Sequence, residues 1–382
     1  MTIDKSYLKK IIINNLEQQG FIIDENGLIS TLHSYSKEQI RNLHKHDRNE
    51  RLMKEKKFIK ASFNKLSTYF ADGTSIKPDQ FNPYIYLVQP NTEYSLLFRF
   101  ATLLWSIPVS QGFGRRLRFL VFDKSNQKLV GLFAIGDPVF NLRVRDNWIG
   151  WDHTMRMKRL YNVMDMFVAG AVPPYSQLLC SKLIAILATS NDVRSIVWQK
   201  YNNKETTIQK ELKEPHLVML TTTSALGRSS VFNRVTYNGK LLFSLIGNTA
   251  GWGHFHLSNG TYKLIREYLT LIDHPIIKSN RFGQGPNWKI RTIRTFLEQL
   301  GLPTSLLLHG IKREVYIAPL ANNYKEFLKG YANQPIYYDL GLEGLVSYFK
   351  NRWFIPRSIR CPEYKEIKSI NTLKVIHNIA MS

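Results

Sequence analysis

Three short stretches of the sequence combine residue types that could do chemistry. The first, Arg145 to His153, reads RDNWIGWDH. Its Asp146 follows Arg145, and a neighbouring guanidinium keeps a carboxylate ionised. Such a carboxylate suits an ion pair at a rigid turn, or a weak base in a cleft, better than it suits a general acid. The pattern favours a structural role for Asp146 and also makes it a catalytic candidate.

The second stretch, Gly247 to Leu257, reads GNTAGWGHFHL and carries two histidines two residues apart. Its glycines predict a turn, after which His254 and His256 would alternate onto one face of a short strand. Such a pair could transfer protons or contribute to a divalent-metal site, although no carboxylate nearby completes a ligand set. We predict both histidines as catalytic candidates, with a hydrogen-bonding or substrate-orienting role ahead of metal binding.

The third stretch, Leu220 to Arg234, reads LTTTSALGRSSVFNR. It leaves a predicted strand at its carboxyl end, where α/β sheets usually bind their ligands. Hydroxyls and amides there can donate to phosphate oxygens, while Arg228 and Arg234 can hold a phosphate bidentately. No nearby base would activate a serine, so a hydrolase triad is disfavoured. The stretch predicts one wall of a phosphate-binding cleft, with Asn233 beside the arginines.

Two further basic clusters lie towards the carboxyl end of the chain. Basic residues interleaved with aromatic ones could bind single-stranded nucleic acid, because guanidinium binds phosphate and a ring offers a stacking face. Ordinary surface arginines beside core aromatics are an equally good explanation. The candidate nucleic-acid-binding residues in these clusters are Arg281, Lys289, Arg291, Arg294, Arg352 and Arg357.

Composition limits the class of protein. The chain has 382 residues, 44% of them hydrophobic, which is enough for real cores and excludes a disordered protein. Two cysteines are too few for a disulfide framework or a thiolate zinc site. No apolar run is long enough to span a membrane and no signal peptide is recognisable, so we expect a cytoplasmic protein. The net charge of +23 predicts a polyanionic partner, most simply nucleic acid.

The elements that must position these residues follow from periodicity. Residues 1–110 predict a basic helical region, with an Asn26-Gly27 turn and a capping box at Ser36 and Gln39 that opens one long helix to residue 70. Residues 111–260 predict a mixed-sheet α/β core. Its elements are the hairpin LRFLVFD and LVGLFAIGDPVF around KSNQK, the strand LYNVMDMFVA, the helix YSQLLCSKLIAILATS, and the strands HLVMLTTTS and KLLFSLIG. Residues 261–382 predict a basic α/β extension.

Six blocks of the sequence resemble the DruA family of the Druantia anti-phage system. They lie within about residues 112 to 360 and read RLRFLVFD, LVGLFAIGDPVFNLRVRDNWIGW, LTTTSALGRSSVFNR, IGNTAGWGHFHL, FGQGPNWKIR and REVYIAPLANN. The resemblance implies an accessory protein of a multigene antiviral defence island. It also implies other defence proteins as partners, including a very large helicase-like protein.

The order of hairpin, strand and helix in residues 117–189 is also similar to the acetyltransferase (GNAT) fold. That resemblance implies a glycine-bearing loop between strand and helix, whose backbone amides would bind the pyrophosphate of an acyl-CoA. Here the loop reads AGAVPPYSQLL, and its two prolines have no amide to donate. The sequence therefore supports the GNAT-like fold better than it supports binding of acyl-CoA. A divalent metal is the one cofactor that it leaves open.

These observations lead to one main hypothesis and two alternatives. The main hypothesis is an antiviral defence protein that binds DNA or another nucleic acid in a basic cleft, its pocket built by Asp146, Asn233, His254 and His256 with Arg228 and Arg234. The first alternative is an enzyme acting on nucleic acid, either a GNAT-like transferase or a metal-assisted nuclease. The second is a scaffold whose basic faces dock acidic partner proteins.

Overall fold

The fold was analysed in a computed structural model of the chain. The structure describes residues 4–24, 28–29, 35–109, 112, 114–206, 210–257, 259–278 and 286–382. The predicted turn at Asn26-Gly27 and the candidate Arg281 lie outside these ranges.

A seven-stranded mixed sheet forms the centre of the molecule, in the order β1-β2-β3-β4-β5-β9-β8, and β6 with β7 forms a separate two-stranded ribbon. The strands are β1 Pro83–Leu87, β2 Arg116–Asp123, β3 Lys128–Gly136, β4 Val163–Ala171, β5 Met219–Thr223, β6 Thr236–Tyr237, β7 Lys240–Leu241, β8 Ser244–Asn248 and β9 Glu314–Pro319. Only β4 and β5 pair in parallel within this sheet. The predicted α/β mixed sheet is confirmed, and the KSNQK turn does join β2 to β3.

The amino-terminal region is helical, as predicted, but it also supplies the edge strand β1. Its helices are α1 Lys5–Gln18, α2 Lys37–Leu43, α3 Lys45–Lys54, α4 Lys56–Leu66 and α5 Glu93–Thr102. The capping box is confirmed, because Ser36 Oγ accepts from the Gln39 amide at 3.1 Å and Gln39 Oε1 accepts from the Ser36 amide at 2.7 Å. The prediction of a single long helix was wrong, because the helix is interrupted at His44 and Glu55.

The described residues form twelve more helices. They are α6 Arg143–Ile149, α7 His153–Arg159, α8 Cys180–Ala188, α9 Asn191–Tyr201, α10 Asn259–Leu271, α11 Pro275–Lys278, α12 Pro286–Gln299, α13 Tyr324–Leu328, α14 Leu342–Phe349, α15 Ile355–Arg360, α16 Ser369–Thr372 and α17 Lys374–Met381. Helix α8 begins at Cys180 rather than at Tyr175, because Leu179 just before it has a left-handed backbone (φ 62°).

The hydrophobic cores join segments that are distant in sequence. One face of the sheet packs on α8, through residues such as Phe133 and Ile184. The other face carries α4, α5 and α17, with Phe63 and Ile376 in the same cluster. A third core joins α1 and α2 to α10 and α12, so the amino-terminal helices share their apolar faces with the carboxyl-terminal region. Burying these faces against one another stabilises the fold by the hydrophobic effect.

Two strand predictions around the histidine stretch differ from the structure. The segment KLLFSLIG forms the end of the small ribbon and then β8, rather than one strand. The predicted strand carrying His254 and His256 is wrong. Residues 251–257 form a loop in which the Leu257 amide donates to the His254 carbonyl oxygen at 3.1 Å. The glycines therefore favour a turn more strongly than the alternating pattern favours a strand.

The two parallel strands separate soon after they meet. They pair only across Val163–Asp165 of β4 and Met219–Thr221 of β5. One residue further along β5, the Thr222 hydroxyl donates to the Met166 carbonyl oxygen at 2.9 Å. The divergence leaves a gap in the middle of the sheet, and Asp165 and Thr221 stand at its start.

Candidate functional site

A polar pocket of about 260 Å³ lies where β4 and β5 diverge. Asp165 comes from β4, and Thr221 and Thr223 come from β5. The other walls are built by the segment after β3, by the loop after β8 and by the approach to β9. They contribute Pro138, Val139, Leu142, Arg145, Thr249, Trp252, His309, Ile311 and Arg313. The pocket thus combines one carboxyl group with hydroxyls and two guanidinium groups.

Asp165 is placed to exchange a proton near neutral pH. Burial raises the pKa of its carboxyl group to about 6, against the opposing effects of the Thr221 hydrogen bond and the positive charges of Arg145 and Arg116. The Thr221 hydroxyl donates to Asp165 Oδ1 at 2.8 Å and fixes the orientation of the carboxyl group. A carboxyl group with this pKa can hold or release a proton under physiological conditions.

Arg313 supplies the positive charge of the pocket. Its Nη2 lies 3.0 Å from His44 Nε2, and burial lowers the pKa of His44 to about 3, so that imidazole is neutral and can accept. Within the described ranges, no carboxylate forms an ion pair with Arg313, and its Nε has no hydrogen-bond partner. A desolvated guanidinium without a counter-charge favours an anionic ligand.

Asp146 lies behind the pocket in a saturated network. Arg145, which is fully buried, donates from Nε to Asp146 Oδ1 at 2.9 Å, and Arg156 Nη1 lies 3.1 Å from Oδ2. Trp151 Nε1 donates to Oδ1 at 3.2 Å, and the Leu142 amide donates to Oδ2 at 3.2 Å. With four donors on its two oxygens, Asp146 is held as a structural anchor, and its neighbour Arg145 faces the pocket instead.

His256 lies in a buried cluster of aromatic and histidine rings, and His254 lies beside that cluster. His256 is fully buried, its Nε2 lies 2.7 Å from the Leu306 carbonyl oxygen, and burial lowers its pKa to about 4. Burial also lowers the pKa of His254 to about 4. The His256 and His309 ring centroids are 5.7 Å apart, and only His309 lines the polar pocket. The neutral His256 therefore supports the pocket wall from behind.

The predicted phosphate-binding wall is divided between two places. Thr221 and Thr223 line the polar pocket, as hydroxyl donors at the end of a strand should. The side chain of Arg228 is 79% exposed, and its Nε lies 3.9 Å from Glu314 Oε1. Arg228 lines two smaller pockets next to this loop. Asn233 and Arg234 lie further along the loop, and the Arg234 carbonyl oxygen accepts from Lys182 Nζ at 3.4 Å.

The other basic candidates lie on separate surfaces. Arg291 and Arg294 are exposed on α12, whereas Lys289 is partly buried with its Nζ 4.8 Å from the Tyr262 ring centroid. Arg352 is exposed near α15, and Arg357 Nε donates to the Gln177 carbonyl oxygen at 3.0 Å. None of the six residues predicted to build one pocket, from Asp146 to His256, lines the polar pocket.

Asp165 and Arg313 were not among the residues predicted from the sequence. A single acidic residue inside the apolar strand VMDMFVA was the available signal for Asp165, because an unpaired carboxyl group is rarely buried without a function. Arg313 had no comparable signal, since one more arginine in so basic a chain does not stand out. Nowhere in the described ranges do three or more His, Cys, Asp or Glu side chains form a group that could hold a metal ion.

The loop between β4 and α8 uses its own backbone amides. The amides of five consecutive residues donate to carbonyl oxygens of the same loop or its flanks, and the residues are Ser176, Gln177, Leu178, Leu179 and Cys180. Two more positions, Pro173 and Pro174, have no amide hydrogen. The loop therefore does not present the amide cradle that a pyrophosphate group needs.

Comparison with known proteins identifies the family. A family model described as Druantia protein DruA matches residues 34–330. The Druantia protein DruA of Escherichia coli (strain UMEA 4076-1) is 43% identical over 372 residues, which covers 97% of this chain and 92% of that protein. The chain belongs to the DruA family. Membership in the DruA family confirms the resemblance of the six blocks and makes the chain a component of the Druantia anti-phage defence system.

No solved structure matches this DruA-family chain. In the part of the chain that the structure describes, no helix is both long enough and apolar enough to cross a membrane.

Proposed function

We propose that the protein binds nucleic acid, with DNA as the first candidate, as its contribution to the Druantia system. The observation that carries this proposal is Arg313, a partly buried guanidinium that faces a polar pocket without a carboxylate partner among the described residues. A phosphate group is the natural counter-charge for such a guanidinium. The net charge of +23 supports a polyanion rather than a small anion as the ligand.

The pocket can also contact the rest of a nucleotide. Trp252 is 44% exposed at its rim and offers a stacking face to an unpaired base. The hydroxyls of Thr221 and Thr223 can donate to phosphate oxygens. A phosphate bound beside Asp165 would raise the pKa of that carboxyl group further, so binding would take up a proton. Affinity should therefore increase as the pH falls towards 6.

A binding assay with purified protein tests this function. Fluorescence anisotropy would be measured on single- and double-stranded DNA of mixed sequence, at 50 and 200 mM salt. We expect affinity that falls steeply with salt, and a loss of about 10- to 100-fold for Arg313→Gln, which removes one charge-assisted contact. Thr223→Val keeps the buried charge and should weaken binding by a few fold. Absence of binding by the wild-type protein at 50 mM salt would refute the proposal and favour a scaffold for acidic partner proteins.

A second candidate function is an enzyme acting on nucleic acid, and Asp165 is the observation that favours it. The ionised carboxyl group of Asp165, whose pKa is about 6, could accept a proton from a water that attacks a phosphodiester phosphorus, while the P–O bond to the leaving sugar oxygen breaks and that oxygen takes a proton from solvent. Asp165→Asn would then abolish product formation while binding persists. Product formation that survives Asp165→Asn would refute Asp165 as the proton acceptor, and absence of product from the wild-type protein would leave binding as the sole function of the pocket.

The proposed core is GNAT-like in the order of its elements, but acyl transfer is not the chemistry we propose. The β2–β3 hairpin, β4 and α8 come in the order on which that resemblance rests, with α6 and α7 between β3 and β4. The amides of the loop before α8 are used within the loop itself, which argues against an acyl-CoA site. A large helicase-like protein of the same system remains a predicted partner. The cytoplasmic location also remains a prediction.

A further inference from the structure

A second concave site, which we call the arginine pocket, lies on another part of the sheet. It encloses about 520 Å³ between α3, α5 and β2. Its lining includes four arginines and one carboxylate, and they are Arg51, Arg99, Arg116, Arg118 and Glu55. None of these arginines was singled out by the sequence motifs.

The charges of the arginine pocket are unbalanced. Glu55 forms an ion pair with Arg99, and among the described residues no other acidic side chain lines the pocket. Arg51 donates from Nη1 to the Val109 carbonyl oxygen at 3.0 Å, a neutral acceptor. Asp47 and Asp165 act on Arg51 and Arg116 from outside the lining, and four guanidinium groups around the carboxylate of Glu55 still leave an excess of positive charge in a partly desolvated space. An anionic ligand with more than one charge would relieve this repulsion.

Aromatic rings lie beside the two arginines of β2. The guanidinium carbon of Arg116 lies 3.7 Å from the Phe167 ring centroid, and that of Arg118 lies 5.8 Å from the Phe98 ring centroid. Stacking on Phe167 holds the plane of the Arg116 guanidinium group, whereas Arg118 lies near the Phe98 ring without stacking on it. Arginines placed beside aromatic rings in this way fit the phosphates of a nucleic-acid strand, because a guanidinium group binds phosphate oxygens bidentately.

The sheet connects the arginine pocket to the polar pocket. Arg116 pairs with Gly136, Gly136 pairs with Asp165, and Asp165 pairs with Thr221, so these residues form one row across four strands. Directly paired residues point to the same face of a sheet. The charge of Arg116 also acts on the pKa of Asp165. Two strand spacings, about 10 Å, separate β2 from β4, roughly the length of three stacked nucleotides.

We propose that one nucleic-acid strand occupies both pockets, with its backbone phosphates in the arginine pocket and its terminal or reacting nucleotide in the polar pocket. This inference rests on the proposed nucleic-acid binding and specifies the path of the strand. It assigns Arg118 as the main phosphate-binding residue, with Arg99, which is already paired with Glu55, as a second contact. It predicts that a ligand must reach a minimum length before the arginine pocket contributes to affinity.

Binding of oligonucleotides of increasing length tests the path. A 5′-phosphorylated dinucleotide and a 12-nucleotide single strand would be compared on the wild-type protein, Arg118→Gln and Lys10→Gln, a control that removes an exposed charge from α1. We expect Arg118→Gln to weaken binding of the 12-nucleotide strand about tenfold, to reduce its salt slope by about one phosphate, and to leave the dinucleotide unaffected. Arg118→Lys keeps the charge and should lose less.

The outcomes separate this inference from the proposed function. If the wild-type protein binds neither oligonucleotide, the proposed function fails and the inference fails with it. If the wild-type protein binds the 12-nucleotide strand and Arg118→Gln behaves like Lys10→Gln, only the inference is overturned. It is also overturned if Arg118→Gln weakens both oligonucleotides equally. Circular dichroism confirms folding of each variant, and Arg99→Gln repeats the test if Arg118→Gln does not fold.

Discussion

Replacing Asp165 by Asn should stabilise the protein at alkaline pH. The folded state raises the pKa of this carboxyl group from 3.8 to about 6, so the folded protein holds the proton more tightly than the unfolded chain does. The stability contributed by that proton is complete below pH 3.8 and is lost as the pH rises through 6. Asn cannot ionise and avoids this loss, and its side-chain oxygen can still accept from Thr221.

The size of the effect follows from the shift. A shift of about two pKa units, at ~1.4 kcal/mol each, amounts to about 3 kcal/mol. Asp165→Asn should therefore raise the free energy of unfolding by up to about 3 kcal/mol at pH 8 and by about half of that at pH 5. These are upper values, because part of the Asp165 surface faces the pocket. Urea unfolding of wild type and variant at both pH values measures the difference, with the exposed Glu363→Gln as the control. Equal effects at both pH values, or a less stable Asp165→Asn at pH 8, would refute the reasoning.

Two other substitutions test the walls of the polar pocket. Asp146→Ala removes the carboxylate paired with the fully buried Arg145 and should lower the free energy of unfolding, measured in urea, by about 3–5 kcal/mol. Arg145 also donates to the carbonyl oxygens of Val139 and Phe140, at 2.9 Å each, and a loss below about 1 kcal/mol would mean that these carbonyls alone satisfy the guanidinium. Gly251 has a positive φ of 72°, and in Gly251→Ala the new Cβ would lie only 2.9 Å from the Gly310 carbonyl carbon. Gly239 has a similar φ of 76°, but no atom lies within 4 Å of the Cβ that Gly239→Ala would add. Gly251→Ala should therefore lower the melting temperature more, and equal losses would contradict the packing argument.

The sequence was informative where short-range patterns determine the structure. Alternating and continuous apolar runs predicted β2, β3, β4 and β5, because a buried strand must be apolar on its covered faces. The capping box fixed the start of α2 to the residue, since both of its hydrogen bonds are local. The stretch from Leu220 to Arg234 was correctly associated with a strand end and contributes two threonines to the pocket.

The sequence was less informative where distant segments meet. Asp165 and Arg313 are almost 150 positions apart in the chain and face one pocket only because β5 lies between their strands. His254 and His256 attracted attention by their spacing, but tertiary packing buries His256 completely and keeps it neutral. Burial and partner identity decide what a titratable side chain can do, and neither can be read from neighbouring residues.

The shared cores have a practical consequence for producing parts of this protein. The family match begins at residue 34 and ends at residue 330, whereas Leu8, Ile12 and Leu16 of α1 pack with α10 and α12. Ile376 of α17 packs on α4 in the same way. A fragment trimmed to the matched residues would expose these apolar faces to water and should aggregate. The cooperative unit is therefore larger than the region by which the family is recognised.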